Sequence, residues 1–397
     1  YLISNTSQTT ASGRTTQVGF QSYGTDIQHT QQWQSAWGLV KWLSGVSIDH
    51  TPMTGREVNL AVTRDATGRY VSYTTGSVRR DYAVNIDSQA LYSQADWAVR
   101  PEVHVVAGAR ADWIRYDYSN HLTPSSTTGA VSGSKDYQHI SPKLGMIWNI
   151  TPALDGYVNA AQGFVPPEVS SQYGGSLVAP SLTAATFNNI ELGWRYQASH
   201  PRLSAELSVY RLTGKNEQLS YAIQVNKSEP RNAGRTRHQG VELGARWLMS
   251  AQYQQTLRVS AAAAQHEYQD YQVSSTLNYA GKTMQSAPAV VANIEYQIQP
   301  MHGLLVAVEA NHVSPYWMDN ANTVRYHGHT LLNLRANYHV GAYEVYSQVL
   351  NATDQRYADI AASTYNGVSS RAADNQDTYT VGAPRTYVLG LRYHFGE

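Results

Sequence analysis

The stretch "GAPRTYVLGLRYHF" (382–395) decides the fold. From Tyr387 onward, alternate positions read Tyr387, Leu389, Leu391, Tyr393 and Phe395, while the positions between them read Val388, Gly390, Arg392 and His394. Period two is the signature of a strand with one apolar face and one wetter face. The same pattern recurs upstream. In "NNIELGWRYQ" (188–197), Ile190, Leu192, Trp194 and Tyr196 oppose Asn189, Glu191 and Arg195. In "HQGVELGARW" (238–247), Val241, Leu243, Ala245 and Trp247 oppose His238, Glu242 and Arg246. "RLSAELSVY" (202–210), "ANIEYQI" (292–298) and "LLNLRANY" (331–338) read the same way, and helical spacing fits none of them.

The connections alternate as well. Short links at 99–102, 149–155, 198–202, 249–252, 299–303 and 339–342 take every second position. Between them lie long polar segments at 51–86, 119–137, 163–187, 214–232, 268–282, 317–325 and 352–382. Antiparallel strands with short turns at one end and long loops at the other predict an all-β, transmembrane, up-and-down antiparallel β-barrel wall of about 16 strands. Several of these reach the roughly ten residues that a tilted crossing strand needs. A soluble propeller or solenoid would show shorter strands and a fixed repeat.

Composition agrees. The chain has 397 residues, with Lys+Arg and Asp+Glu both at 29, so net charge offers nothing to attract nucleic acid. The absence of cysteine excludes a disulfide scaffold and thiol chemistry. Twenty-nine Tyr and 9 Trp stand against 4 Phe. Rings with one dry and one wet end suit a membrane interface or a ligand mouth. No Ser/His/Asp or metal-ligand spacing supports catalysis, so the reading is a non-enzyme with no resident cofactor or metal.

Five segments carry a family resemblance. They are "HISPKLGMIWNITPALDGYVNAAQGFVPPE" (139–168), "NNIELGWRYQ" (188–197), "RNAGRTRHQGVELGARW" (231–247), "YEVYSQVLNATDQRYAD" (343–359) and the closing stretch. In this order and at this spacing the chain resembles TonB-dependent outer-membrane receptors of the ferric-siderophore type. The resemblance implies a wall of about 22 strands around a plugged lumen. Residues 1–397 would form its C-terminal part, with the N-terminal plug and the first six or so strands outside this chain. It also implies the outer membrane of a Gram-negative bacterium, contact with lipid and lipopolysaccharide, a monomer, and energy from the TonB–ExbB–ExbD complex acting through the plug. The family's cargo is most often a ferric siderophore, less often haem, cobalamin or a sugar. A complete passive porin of about 16 strands is the alternative architecture.

Candidate ligand contacts follow from loop chemistry. Phe164, Tyr173, Tyr221, Tyr316, Trp317, Tyr326 and Tyr365 offer ring faces; Arg231, Arg325 and Arg371 offer guanidinium; His327, in "YHGH", offers an imidazole. Rings stack on a flat chelate, and guanidinium binds its anionic oxygens. Asn351 and Asp354 are read as turn builders. Gly240 and Gly244 are read as relieving crowding in the wall, and Glu191, Glu206, Glu242 and Glu344 as inner-face partners of Arg195, Arg246 and similar residues.

Overall fold

A computed structural model describes residues 2–11, 13–174, 177–198, 202–224, 227–363 and 376–395. Nearly all of it is antiparallel sheet. The strands are β1 (Leu2–Ala11), β2 (Arg14–Ser35), β3 (Gly38–Arg64), β4 (Tyr70–Arg100), β5 (Val103–Asn120), β6 (Gly133–Thr151), β7 (Leu154–Val165), β8 (Ala185–Ala198), β9 (Arg202–Gln224) and β10 (Lys227–Ser250). They continue as β11 (Gln255–Tyr271), β12 (Val290–Met301), β13 (Leu304–Val313), β14 (Tyr316–Trp317), β15 (Arg325–Tyr326), β16 (His329–Val340), β17 (Tyr343–Leu350), β18 (Ala358–Ser363), β19 (Asp377–Val381) and β20 (Thr386–Tyr393). Sixteen of them form one meandering sheet in chain order, with β14–β15 and β18–β19 standing apart as two-stranded hairpins in the loops. Among the described residues no ladder joins β1 to β20, so the sheet is not closed, which does not favour the sixteen-stranded porin. No helix in these residues is long and apolar enough to cross a membrane.

The faces divide as the alternation predicts. Tyr387, Leu389, Leu391, Tyr393 and Phe395 are all exposed on one side of the sheet, Leu389 at 79% and Phe395 at 90%. The opposite face carries the charges, and they are paired across strands. Arg195 meets Glu206 at 3.0 Å and Arg392 meets Glu344 at 2.5 Å. Glu295 holds Arg258 at 2.9 Å and also bonds Arg335, which reaches Glu309 at 3.8 Å. Expectations for the two wall glycines part company. A Cβ at Gly240 would press on the Ala263 carbonyl and Ala264, whereas one at Gly244 would meet open space.

One expectation is corrected. Segments 51–86 and 214–232 are not loops. β3 and β4 run through the first with a turn at residues 65–69, and β9 and β10 run through most of the second. Their polarity reflects water on both faces, which a hydrogen-bonded ladder of Thr, Val, Tyr and Arg tolerates. At about 3.3 Å per residue β4 is about 100 Å long, several times what a bilayer crossing needs. The tip turn is built by Asp65, whose Oδ1 accepts from the Thr67 and Arg69 amides at 2.8 and 2.9 Å, with Gly68 at φ +82°.

Candidate functional site

The short turns, residues 36–37, 101–102, 152–153, 251–254, 302–303 and 341–342, lie at one end of the sheet. The opposite end carries the extended hairpins and the longer connections, where the candidate ligand contacts lie.

Three of those connections form one packed body. The β14–β15 hairpin pairs Tyr316 with Tyr326 and Trp317 with Arg325. Its turn is held by buried Asp319, which accepts from the Thr323 and Val324 amides at 2.8 and 3.0 Å. The β18–β19 hairpin docks on it. The Ala361 amide donates to the Tyr316 hydroxyl and the Ala358 amide to the Tyr326 hydroxyl, both at 3.1 Å. The Ser363 amide donates to the Met318 carbonyl at 2.7 Å. The 272–289 connection joins from the other side. Asn322 Nδ2 donates to the Thr283 carbonyl at 2.8 Å, and Tyr268 donates to Asn320 Oδ1 at 2.8 Å. Around this core Tyr268, Tyr271, Val273 and Tyr279 are buried together.

A second body joins the connection between β5 and β6 to that between β7 and β8. The ring of Tyr173, on the short helix α1 (Val169–Tyr173), stacks on Tyr118 at 4.3 Å with planes 4° apart. The Ala130 amide donates to the Tyr173 carbonyl at 2.9 Å, and Arg80 donates to the Gly174 carbonyl at 2.6 Å. Burial pushes the Tyr173 phenol up to about 12 and raises that of Tyr316, so both stay neutral at ordinary pH.

The predicted contacts therefore fall into distinct groups. Tyr173 and Tyr316 are buried pillars of the loop bodies. Phe164 is half-buried and stacks on His139 at 4.8 Å. The hydroxyl of Tyr326 is engaged by His329 at 2.9 Å as well as by the Ala358 amide. Three predicted groups face outward: Arg231, whose guanidinium lies 3.7 Å from the Tyr221 ring centroid; Arg325, 5.6 Å from that of Trp317; and exposed His327. Each arginine rests on a ring, which fixes the position of the cation. Arg231 is also held by Glu229 at 2.6 Å. Tyr365 and Arg371 lie outside the described residues. Sequence reasoning missed Asn232, whose amide ties the Asn216 carbonyl at 2.6 Å to the Thr183 carbonyl at 2.9 Å. It also missed the strand tyrosines Tyr116, Tyr118 and Tyr137 on which the second body rests; the alternation in "RYDYSN" (115–120) is the only local signal for them.

Between the two ends, the sheet forms a concavity of about 500 Å³ whose lining includes Tyr157, Glu191, Glu206, Glu242, Asn293 and Asn311. A family model described as "TonB dependent receptor-like, beta-barrel" matches residues 1–352. The chain belongs to the TonB-dependent receptor family. As a TonB-dependent receptor wall, the sheet crosses the outer membrane of a Gram-negative bacterium with its apolar face in lipid and its charged face in the lumen. The family's wall continues past the matched range, since β20 pairs with β17 from Tyr343↔Tyr393 to Leu350↔Thr386. Over 261 residues the receptor chain is 24% identical to the ferrioxamine receptor of Yersinia enterocolitica, covering 63% of this chain and 34% of that protein. Over 317 residues it is 23% identical to the metal-pseudopaline receptor CntO of Pseudomonas aeruginosa, covering 78% of this chain and 41% of that one. The ferric yersiniabactin uptake receptor FyuA from Yersinia pestis superposes with a TM-score of 0.74 at 16% identity, over 100% of this chain and 58% of the other. That likeness is one of fold. The chain spans well under two thirds of the length of each of these relatives.

Proposed function

We propose that this chain supplies the C-terminal part of the wall of an energy-coupled receptor that binds a ferric siderophore, or a similar bulky anionic iron complex, at the mouth formed by its extended hairpins and imports it. On this reading the wall has about 22 strands around a plugged lumen, and residues 1–397 contribute the sixteen in one sheet. The plug and the remaining strands lie in the rest of the receptor, and TonB with ExbB and ExbD drives release through the plug.

The observation that carries the reading is the outward-facing pair of ring-backed guanidinium groups, Arg231 on Tyr221 in the extended β9–β10 hairpin and Arg325 on Trp317 in the β14–β15 hairpin, at the long-hairpin end of the sheet. A metal chelate with a flat anionic face meets cation and ring together there. The similarity to a ferrioxamine receptor and to a ferric yersiniabactin uptake receptor supports the same cargo class. His327 is exposed beside Gly328, which has φ +75°, and no hydrogen bond among the described residues holds its ring as an axial haem ligand would need to be held.

The test is iron uptake in a strain lacking its own receptor for the chelate and carrying the complete receptor gene. Radiolabelled ferric chelates from a panel of hydroxamates, catecholates and carboxylates should reveal one class that enters, and entry should cease when tonB is deleted. Uptake that persists without TonB overturns the proposal.

A further inference from the structure

At the short-turn end of the wall, far from the mouth, β16, β17 and β20 converge on one carboxylate. Glu344 lies opposite His339 on β16 and opposite Arg392 on β20, and it is 4% exposed. His339 Nε2 is 3.7 Å from Oε1, and His394 Nε2 is 3.5 Å from Oε2. The potential ligand atoms of the three residues all lie within 4.8 Å of one another. His394 follows the end of β20, and its amide donates to the Ala342 carbonyl at 2.8 Å, so its ring is presented by an unbroken backbone. Its Nε2 is buried and makes no hydrogen bond among the described residues.

We propose that His339, Glu344 and His394 form a binding site for a first-row divalent transition metal. Two imidazoles and a carboxylate are the donor set of a three-ligand zinc centre, with a fourth position left to water. An ion bonded at the usual 2.0–2.2 Å holds its ligands about 3.4 Å apart. The spacings of 3.5 and 3.7 Å, from the two histidines to different oxygens of Glu344, exceed this by only a few tenths of an ångström, and the three ligand atoms, within 4.8 Å of one another, must close by up to about 1 Å around the ion. The ion would tie the last strand to β16 across β17, at the rim where the chain's final described residues leave the sheet.

Arg392 is the competitor. Its guanidinium sits 2.5 Å from Glu344 Oε2, yet its side chain is 59% exposed and also lies 5.6 Å from the centroid of the Tyr346 ring, which can retain it once the carboxylate is taken. Cation and metal claim the same oxygen, so an ion that enters displaces the guanidinium toward Tyr346. This competition distinguishes a metal site from an ion-paired wall.

The experiment is calorimetric titration of the complete receptor, purified in detergent without a histidine tag, with Zn²⁺ alone. The wild type should bind one Zn²⁺ that His339→Ala and His394→Ala each weaken at least tenfold, and Arg392→Gln should tighten that binding several-fold. The gain in Arg392→Gln cannot arise from misfolding, and resistance of unheated protein to unfolding on a gel checks the two losses. Zinc binding that is absent, or unchanged in both histidine variants, overturns the proposal. Binding that Arg392→Gln fails to tighten overturns it equally.

Discussion

The ring of Tyr346 lies directly across Gly390, its cross-strand partner on the last strand, and fills the space a β-carbon would take. The same pairing recurs on the inner face. Tyr157 covers Gly193, Tyr92 covers Gly45 and Tyr82 covers Gly55, each tyrosine opposite its glycine in register. In three of the four an arginine caps the ring: Arg392 on Tyr346, Arg195 on Tyr157 and Arg110 on Tyr92. The stretches "LGWRY" (192–196) and "LGLRY" (389–393) are thus one device used twice. The glycine seats the neighbour's tyrosine and the arginine two residues on closes over it, which shields a strand glycine that would otherwise leave its ladder bare.

Gly390→Ala should therefore destabilise the wall by about 1–3 kcal/mol through overpacking. Gly390→Ala combined with Tyr346→Ala should cost less than the two single changes added together, because the clash is gone. Urea unfolding of the receptor in detergent measures all three. A neutral Gly390→Ala contradicts the pairing.

Asn351 holds the exit from β17. It is 3% exposed and adopts φ +49°. Its side chain accepts from the Gln355 amide at 2.9 Å and donates to the Gln355 and Ala383 carbonyls at 2.9 and 3.2 Å. Asn351→Ala should cost about 2–3 kcal/mol, and Asn351→Gly about 1 kcal/mol less because it keeps the left-handed backbone. Limited proteolysis of segment 352–382 reports the loosening directly, with Asn351→Ala cut fastest.

Arg231→Ala and Arg325→Ala should each weaken binding of the transported ferric chelate about tenfold, the loss of one charge-assisted contact at roughly 1.4 kcal/mol. Arg→Lys at either position should recover little, since a point charge does not reproduce a planar fork resting on a ring. Intrinsic tryptophan quenching by the chelate gives the affinities. Unchanged affinity in both alanine variants places the contacts elsewhere.

The loop body around Tyr173 should loosen in alkali. An unfolded tyrosine ionises near pH 10, whereas this one is pushed up to about 12. Below pH 10 both states keep the proton and stability is complete. As pH rises from about 10 to 12 only the opened loop gives up its proton, so order is lost across that window. Proteolysis of the 166–184 connection should accelerate there in the wild type and less in Tyr173→Phe. Because the Tyr173 hydroxyl is buried without a hydrogen-bond partner among the described residues, Tyr173→Phe should leave neutral-pH stability unchanged or raise it. Equal acceleration in both proteins removes Tyr173 as the cause.

The wall was legible because alternation is local: Ile190, Leu192, Trp194 and Tyr196 announce their face within seven residues. The turn role of Asn351 and Asp354 was legible for the same reason, both standing at positive φ. The mouth was not. Whether Tyr173 meets a ligand or stacks on Tyr118 depends on a contact 55 positions away, which no local pattern encodes. The β3–β4 extension was misread because a strand wet on both faces loses its alternation while keeping its ladder. Glu206 found Arg195 as expected, but Glu191 went instead to the Tyr157 hydroxyl at 2.6 Å, a partner chosen by register rather than by charge.

The great length of β3 and β4 bears on the thermodynamics of capture. A mouth of slack polar loops must surrender conformational freedom each time it closes on a small guest, and that loss is subtracted from affinity. Here the rim is a prolongation of ladders already hydrogen-bonded down to the membrane, from Leu39↔Ala98 at the base to Arg64↔Tyr70 at the tip. On the proposed function, much of the ordering is complete before any ligand arrives, so a few well-placed cations and rings can suffice to hold a scarce solute at high dilution.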